Sequence, residues 1–302
     1  MPPDLRALVK GLVVNRYRGD PEHFAGGAAL LEQHTGLPVR GVIPWRPELR
    51  LDPEESDIGG IDGQGPLDVC VLRVPALTDF ESLAALGNLG PLRVRFVARA
   101  ERVGTPDLIV LPNAGDAFAA LEWLRRRGLD RVVRAAADRE VPVLGLCSGY
   151  QVLGRTLVEQ NGAGSTVRTA DGLGLLPVDS VLEARRQVRP TSGRTAGGWL
   201  LPAGLEVAGY RVIDASSAHD GPSLLSLDDA DGCVAGSVAG TDLHGFLDSA
   251  AVRNSLVDAL LQRRGLPPWQ EQLPGAQGQR ARRYEQLADL LESSLDLDGL
   301  LG

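Results

Sequence analysis

Gly145-Leu146-Cys147-Ser148-Gly149-Tyr150-Gln151 follows the apolar run Val141-Pro142-Val143-Leu144, and a helix-like segment runs from Gln151 to Leu157. The apolar run predicts a buried strand that ends at Cys147, with a helix beginning just after it. Gly-x-Cys-x-Gly has the spacing of a nucleophile elbow, with sulfur in place of a serine oxygen. The flanking glycines let the chain turn sharply, so the side chain stands exposed at the strand's end. A helix N-terminus beside the sulfur favours the thiolate, which is the form that attacks a carbonyl. A partner base can come from four histidines: His23, His34, His219 and His244.

Asp242-Leu243-His244-Gly245 follows the apolar stretch Val234 to Val238, which reads as a strand with His244 at its end. Strand ends on one edge of a parallel sheet converge on one crevice, so Cys147 and His244 can meet. His244 would take the thiol proton and later return a proton to a leaving amine. Cysteine and histidine together imply acyl transfer through a thioester. Its oxyanion needs donors. Candidates are the Ser148 N–H and the loop Pro112-Asn113-Ala114-Gly115, after the strand Leu108 to Leu111. His219 lies in the polar stretch Ser216 to Gly221 and reads as an exposed loop residue. His23 and His34 read as surface positions of an N-terminal helix.

Outward from this centre the chain predicts an α/β fold: a doubly wound, flavodoxin-like, mostly parallel sheet. Strands are expected at 68–74, 92–97, 107–112, 141–146 and 232–239, with helices at 116–127 and 129–138. Residues 161–231 are rich in Gly, Ser and Asp and predict a β-rich region with long loops. At the N-terminus, strand 11–15, helix Pro21–Thr35 and strand 36–44 form a partial βαβ unit. The expected division is 1–50 as the remnant of a larger domain, 51–66 as linker, 67–252 as the main domain and 253–302 as a helical tail. Within that tail, 265–279 reads as a loop and 280–300 as a helix.

The net charge of −8 over 302 residues argues against a general nucleic-acid binder. No apolar run reaches membrane-spanning length, and no secretory signal is visible, so a cytoplasmic protein is expected. Cys70 and Cys233 sit in apolar strand-like runs and read as inert buried thiols. No Cys/His cluster has zinc spacing, and no metal is expected. Lys10 is the sole lysine and is followed by Gly11-Leu12, so there is no Gly-Lys-Ser/Thr phosphate loop.

Taken together, Gly145–Gln151 and Leu243-His244-Gly245 resemble the class I glutamine amidotransferase signature in its cobyric acid synthase branch. Asn15-Arg16-Tyr17-Arg18-Gly19-Asp20, Thr35-Gly36-Leu37-Pro38-Val39, Ala120 to Arg125, Gly172 to Val178 and Arg283 to Leu291 are similar to other elements of that branch. The resemblance implies a catalytic pair, Cys147 and His244, with Asn113, Ser148 and Gln151 about the oxyanion and the glutamine. It assigns no third triad carboxylate, although Asp242 and Asp248 lie nearby. It also implies glutamine hydrolysis that feeds ammonia to an ATP- and Mg²⁺-dependent synthetase domain or subunit. The acceptor would be a corrinoid, adenosylcobyrinic acid a,c-diamide, and the product cobyric acid. No cofactor is expected in this chain itself, because the family's ATP-binding region is absent from it.

Two departures from the pattern stand beside the site. The family's Pro-Gly-Ser-Lys is Pro112-Asn113-Ala114-Gly115 here, and its Gly-Tyr-Glu-Ile-His is Gly209-Tyr210-Arg211-Val212-Ile213. These changes predict weak glutaminase activity, restored by Asn113→Gly together with Arg211→Glu. The alternatives are a degenerate binding or regulatory module, and the glutaminase subunit of a cell-wall isoglutaminyl synthase.

Overall fold

The computed structural model describes residues 6, 8–19, 24–46, 49, 65–78, 83, 86, 87, 90–161, 164–183, 187–212, 215–228, 230–270 and 276–301. They form two compact units, residues 1–51 with 277–302, and residues 52–276.

In the first unit, β1 (Leu12–Tyr17), α1 (Ala25–Thr35) and β2 (Val39–Pro44) make the expected βαβ element, with β1 and β2 parallel. Gly36 ends the helix in the left-handed region at φ 67°, a conformation that glycine adopts without a Cβ penalty. Its N–H donates to the Glu32 carbonyl at 2.8 Å. The start expected for α1 at Pro21, together with His23, lies outside the described residues, as do residues 51–64 of the expected linker.

The second unit opens with β3 (Leu67–Leu72), β4 (Leu92–Val97) and β5 (Leu108–Leu111). Helices α2 (Ala117–Arg126) and α3 (Leu129–Asp138) follow, then β6 (Val143–Leu146) and α4 (Ser148–Leu153). Asp116 caps α2 by accepting from the Phe118 and Ala119 N–H groups. The apolar face of α2, including Phe118, Leu121 and Leu124, is buried at helical spacing, as are Leu129, Val133 and Ala136 of α3. β5 is buried along its whole length, as strands covered on both faces must be.

An excursion of mostly antiparallel structure, with one parallel strand pair, follows α4. It comprises β7 (Thr156–Gln160), β8 (Thr166–Asp171), β9 (Val178–Glu183), β10 (Val188–Gly198), β11 (Leu201–Val212), β12 (Ala215–His219), β13 (Leu225–Ser226) and β14 (Ala230–Asp231). These pair into two four-stranded sheets, β8-β7-β9-β12 and β11-β10-β13-β14. Where long loops are expected from composition, the long hairpin β10–β11 stands instead. Glycine and serine here sit inside strands whose pairing, rather than propensity, decides the structure. His219 is likewise not in a loop: it ends β12, half-buried, with Nδ1 at 2.9 Å from the Gly221 carbonyl oxygen.

The chain then returns to the main sheet. The strand expected over 232–239 is two strands, β15 (Cys233–Ala235) and β16 (Val238–Thr241), folded antiparallel on each other. Gly236 turns the chain between them at φ 57°. The apolar run hides this reversal because both strands are apolar. The full order is β15-β16-β6-β5-β3-β4, with β16, β6, β5, β3 and β4 parallel. The chain moves from β3 outward to β4, then back across to β5, β6 and β16. The crevice at such a switch point opens beyond the carboxyl ends of the strands. Asn113, Cys147 and His244 all follow strands at that edge.

The expected tail 253–302 divides between the units. Helix α5 (Ala250–Arg263) buries Val252, Leu256, Val257 and Leu260 in the second unit, and Ser249 caps it. Helix α6 (Ala276–Ser294) starts at Ala276 rather than at Arg280, and α7 (Leu297–Leu301) follows a break. At the break Asp296 donates its N–H to the Arg40 carbonyl at 2.7 Å and pairs with the Arg40 guanidinium at 2.6 Å.

Candidate active site

Cys147 sits between β6 and α4 with φ 49° and ψ −114°, a backbone conformation that non-glycine residues rarely adopt. Its N–H donates to the Thr241 carbonyl at 2.8 Å, which ties the elbow to the end of β16. Its thiol donates to the Asp242 carbonyl at 3.9 Å. Gly149 lies against the end of β5, where a Cβ would strike the Leu111 carbonyl. The second glycine of Gly-x-Cys-x-Gly is therefore demanded by a close approach of backbone to backbone.

The loop after β5 is stitched to the elbow. Ala114 N–H donates to Ser148 Oγ at 2.6 Å. The Ser148 N–H, expected to serve an oxyanion, donates to Asn113 Oδ1 at 3.3 Å. The Asn113 amide nitrogen donates to Thr78 Oγ1 at 2.7 Å, and the Thr78 N–H donates to the Asn113 carbonyl at 3.0 Å. The Asn113 side chain is thus held from behind with its oxygen on the expected oxyanion donor.

His244 is positioned from the excursion. Its N–H donates to the Tyr210 carbonyl at 2.9 Å, and the Tyr210 N–H donates back at 3.1 Å. The two rings stack, 4.7 Å between centroids and 9° between planes. Gly209 beside this pair has no room for a Cβ, which would strike the His244 carbonyl. Ile213, the other departure at this edge, lies outside the described residues.

Arg211 behaves differently from the sequence expectation. Its guanidinium lies 3.7 Å from the buried carboxylate of Asp231, and Thr241 Oγ1 donates to the other oxygen of that carboxylate. The positive charge compensates buried acid instead of intruding on the site. Asp242, also buried, has its carboxyl pushed up to about 7 by burial and by the neighbouring charge of Asp231. Hydrogen bonds from Ser217 and Gln151 and the charge of Arg211 oppose that rise without cancelling it. The thiol of Cys70 is pushed up to about 12, chiefly by burial, and that of Cys233 is raised for the same reason, so both stay protonated near neutrality.

A cavity of about 600 Å³ joins these parts: Asn113, Cys147, Ser148, Gln151, Asp242 and His244 all line it. All five sequence-predicted site residues are among them. Sequence reasoning missed Tyr210 as the support of His244 and Thr78 as the support of Asn113, because each contact spans dozens of residues. It also missed Arg168, which reaches this cavity from β8, binds Asp116 and Glu159, and lies 4.1 Å from the Phe118 ring centroid. The resulting chamber is a crevice lined by the thiol of the strained elbow, an imidazole and several polar side chains.

Residues 68–252 match the CobB/CobQ-like glutamine amidotransferase domain. Cobyric acid synthase from Desulforudis audaxviator is 38% identical over 316 residues, covering 98% of this chain and 62% of that protein. Probable cobyric acid synthase from Methanocella arvoryzae is 35% identical over 310 residues, covering 100% of this chain and 61% of its own length. The chain therefore spans about three-fifths of the length of these curated relatives. The solved structure of PurLQS from Thermotoga maritima shares the fold, with a TM-score of 0.50 at 14% identity over 66% of this chain and 99% of that one. The elbow, the switch-point crevice and the family match agree: the chain belongs to the CobB/CobQ-like glutamine amidotransferase family.

Proposed function

We propose that this cavity hydrolyses glutamine. The Cys147 sulfur attacks the side-chain carboxamide carbon while His244 takes the thiol proton. The tetrahedral intermediate collapses as His244 protonates the leaving nitrogen, which departs as ammonia and leaves a thioester. A water molecule, deprotonated by His244, then attacks the thioester and releases glutamate and the free thiol. Ser148 N–H would serve the oxyanion once the Asn113 side chain gives way. The observation that carries this reading is the strained Cys147 backbone at the switch-point edge, in one cavity with His244. The test compares glutamate release by the chain and by its Cys147→Ala variant. Release that survives in the variant would remove Cys147 from the reaction.

In the wider proposal the ammonia amidates corrinoid carboxylates in a cytoplasmic cobyric acid synthase. An isoglutaminyl synthase would use the same glutaminase with another acceptor. ATP and Mg²⁺ do not fit the residues present. Lys10 is followed by Gly11-Leu12. Among the described residues no group of three or more His, Cys, Asp or Glu could hold a metal ion. The synthetase chemistry would belong to a separate domain or subunit.

One observation favours the alternative of a binding module without efficient catalysis. Asn113 Oδ1 accepts the Ser148 N–H, and Thr78 braces it there. If Cys147 reacts with a glutamine-analogue electrophile while glutamate release stays at background, the binding module is the better description.

A further inference from the structure

Asp242 and Gln151 meet at the floor of the cavity, and the chemistry of that contact has a direction. Gln151 Nε2 donates to Asp242 Oδ1 at 3.1 Å. Ser217, on β12, also hydrogen-bonds the Asp242 carboxylate, and its hydroxyl lies 3.1 Å from Ser180 Oγ. An ionised carboxylate can only accept. Ser217 therefore gives its proton to Asp242 and accepts from Ser180. Gln151 must turn its NH₂ to Asp242, leaving its carbonyl Oε1 for a molecule in the cavity.

We infer that Asp242 is a positioning residue that holds Gln151 with its oxygen toward the cavity, so that the site accepts a carboxamide and rejects a carboxylate. The inference rests on the glutaminase reading and adds the source of its discrimination. The Oε1 acceptor matches the NH₂ of a glutamine side chain. Against the carboxylate of glutamate, the reaction's product, it has no donor to meet and adds repulsion. A site built to hydrogen-bond one group rejects the analogue that lacks it. Once protonated, Asp242 can donate to Oε1, the Gln151 amide is free to turn over, and the discrimination falls. Burial and the neighbouring charge of Asp231 push the carboxyl up to about 7, so this occurs within an accessible range.

Other charges face Asp242. Asp231 lies on β14, Arg211 on β11 and the Tyr150 phenol on α4. Arg189 and Asp228 line, with Asp242, a second cavity of about 430 Å³. Cys147 and His244 share the first. The test must separate Asp242 from these groups, and His244 above all.

The experiment uses calorimetry on the Cys147→Ala chain, titrated with L-glutamine and with L-glutamate at about pH 5.5 and about pH 8.5. Both values lie above the ordinary glutamate side-chain pKa of about 4.3, so the ligand side chain does not change form, and the α-amino group, common to both ligands, largely cancels in the ratio. The ratio of the two affinities should favour glutamine about tenfold more at the higher pH, the scale of one good hydrogen bond. Asp242→Asn in the same background should make the ratio equal at the two pH values. Ser217→Ala, which removes one donor to the carboxylate, should move the midpoint of the change to higher pH. That variant decides the matter if Asp242→Asn fails to fold. A ratio independent of pH in the Cys147→Ala chain overturns the inference and leaves the glutaminase reading standing. A pH dependence that persists in Asp242→Asn does the same, because it then belongs to another group. Binding of neither ligand under any condition overturns the glutaminase reading itself.

Discussion

Cys147 and His244 face one cavity from neighbouring strand ends, but they are held in different ways. Cys147 is held by its sequence neighbours: β6 before it, α4 after it and Gly149 pressed against the Leu111 carbonyl. His244 is held by residues from far along the chain: the Tyr210 backbone and ring, with Gly209 giving them room. The acids behind it are balanced by Arg211 from the same strand. The cysteine's side therefore depends on a short, sterically demanding motif. The histidine's side depends on a long, mostly antiparallel excursion in which charge can be redistributed while the backbone contact persists.

The largest expected effect tests the base directly. His244→Ala should lower glutamine-dependent turnover roughly 10²–10⁴-fold, read as glutamate release. Amidation driven by added ammonium, in an enzyme completed with its synthetase part, should continue. Equal loss of both would make His244 structural and erase the contrast between the two sides.

Arg211→Glu comes next, and here the structure reverses the sequence expectation of a gain. Beside Asp231 and Asp242 it would place a third carboxylate and remove the compensating charge. The expected cost is about 2 kcal/mol of stability, below the full penalty for breaking a wholly buried pair. Denaturant unfolding measures it. Unchanged stability with raised glutaminase activity would restore the simpler reading of Arg211 as damage.

Asn113→Gly removes the oxygen that accepts the Ser148 N–H. We expect turnover to rise about tenfold, less than the roughly 10²–10³ associated with losing an oxyanion donor outright, because glycine also gives up the brace to Thr78. A fall in turnover would mean that the brace matters more than the freed N–H.

The smallest effect concerns stability and pH. The folded Asp242 carboxyl is raised to about 7, above its ordinary value. The fold is therefore favoured by the protonated form, fully below the unfolded pKa, and loses that contribution as pH rises through about 7. Asp242→Asn mimics the protonated state. Its Tm should exceed that of the parent by a few degrees above neutrality, with little difference in mild acid. A difference of the same size at both pH values would locate the effect elsewhere.

The same contrast explains what could be read from sequence. The elbow is contiguous, so strand, turn and helix are legible in Gly145–Gln151 with the expected nucleophile between them, and β5 and β6 read as unbroken apolar runs. The place of His244 beside the elbow is legible because it too follows an apolar stretch. The hairpin at Gly236 is not, since both of its strands are apolar and only a reversal of direction separates them. The excursion reads as β-rich from its composition, but its strand pairing does not, because Gly-rich strands such as β10 owe their order to pairing. The role of Arg211 was hidden for a related reason: its partner Asp231 lies on another strand, and charge compensation is a property of the pair.

The central claim is that Cys147 is the reacting nucleophile of a glutamine site, and covalent labelling with a glutamine-analogue electrophile tests it most directly. The chain is incubated with the reagent and digested, and the adduct is located by mass spectrometry. A single adduct on Cys147 is expected, blocked by excess glutamine and absent from Cys147→Ala. Buried Cys70 and Cys233, whose thiols are held protonated, should stay unmodified. An adduct on either of them, or labelling of Cys147 that glutamine does not compete away, would contradict that claim.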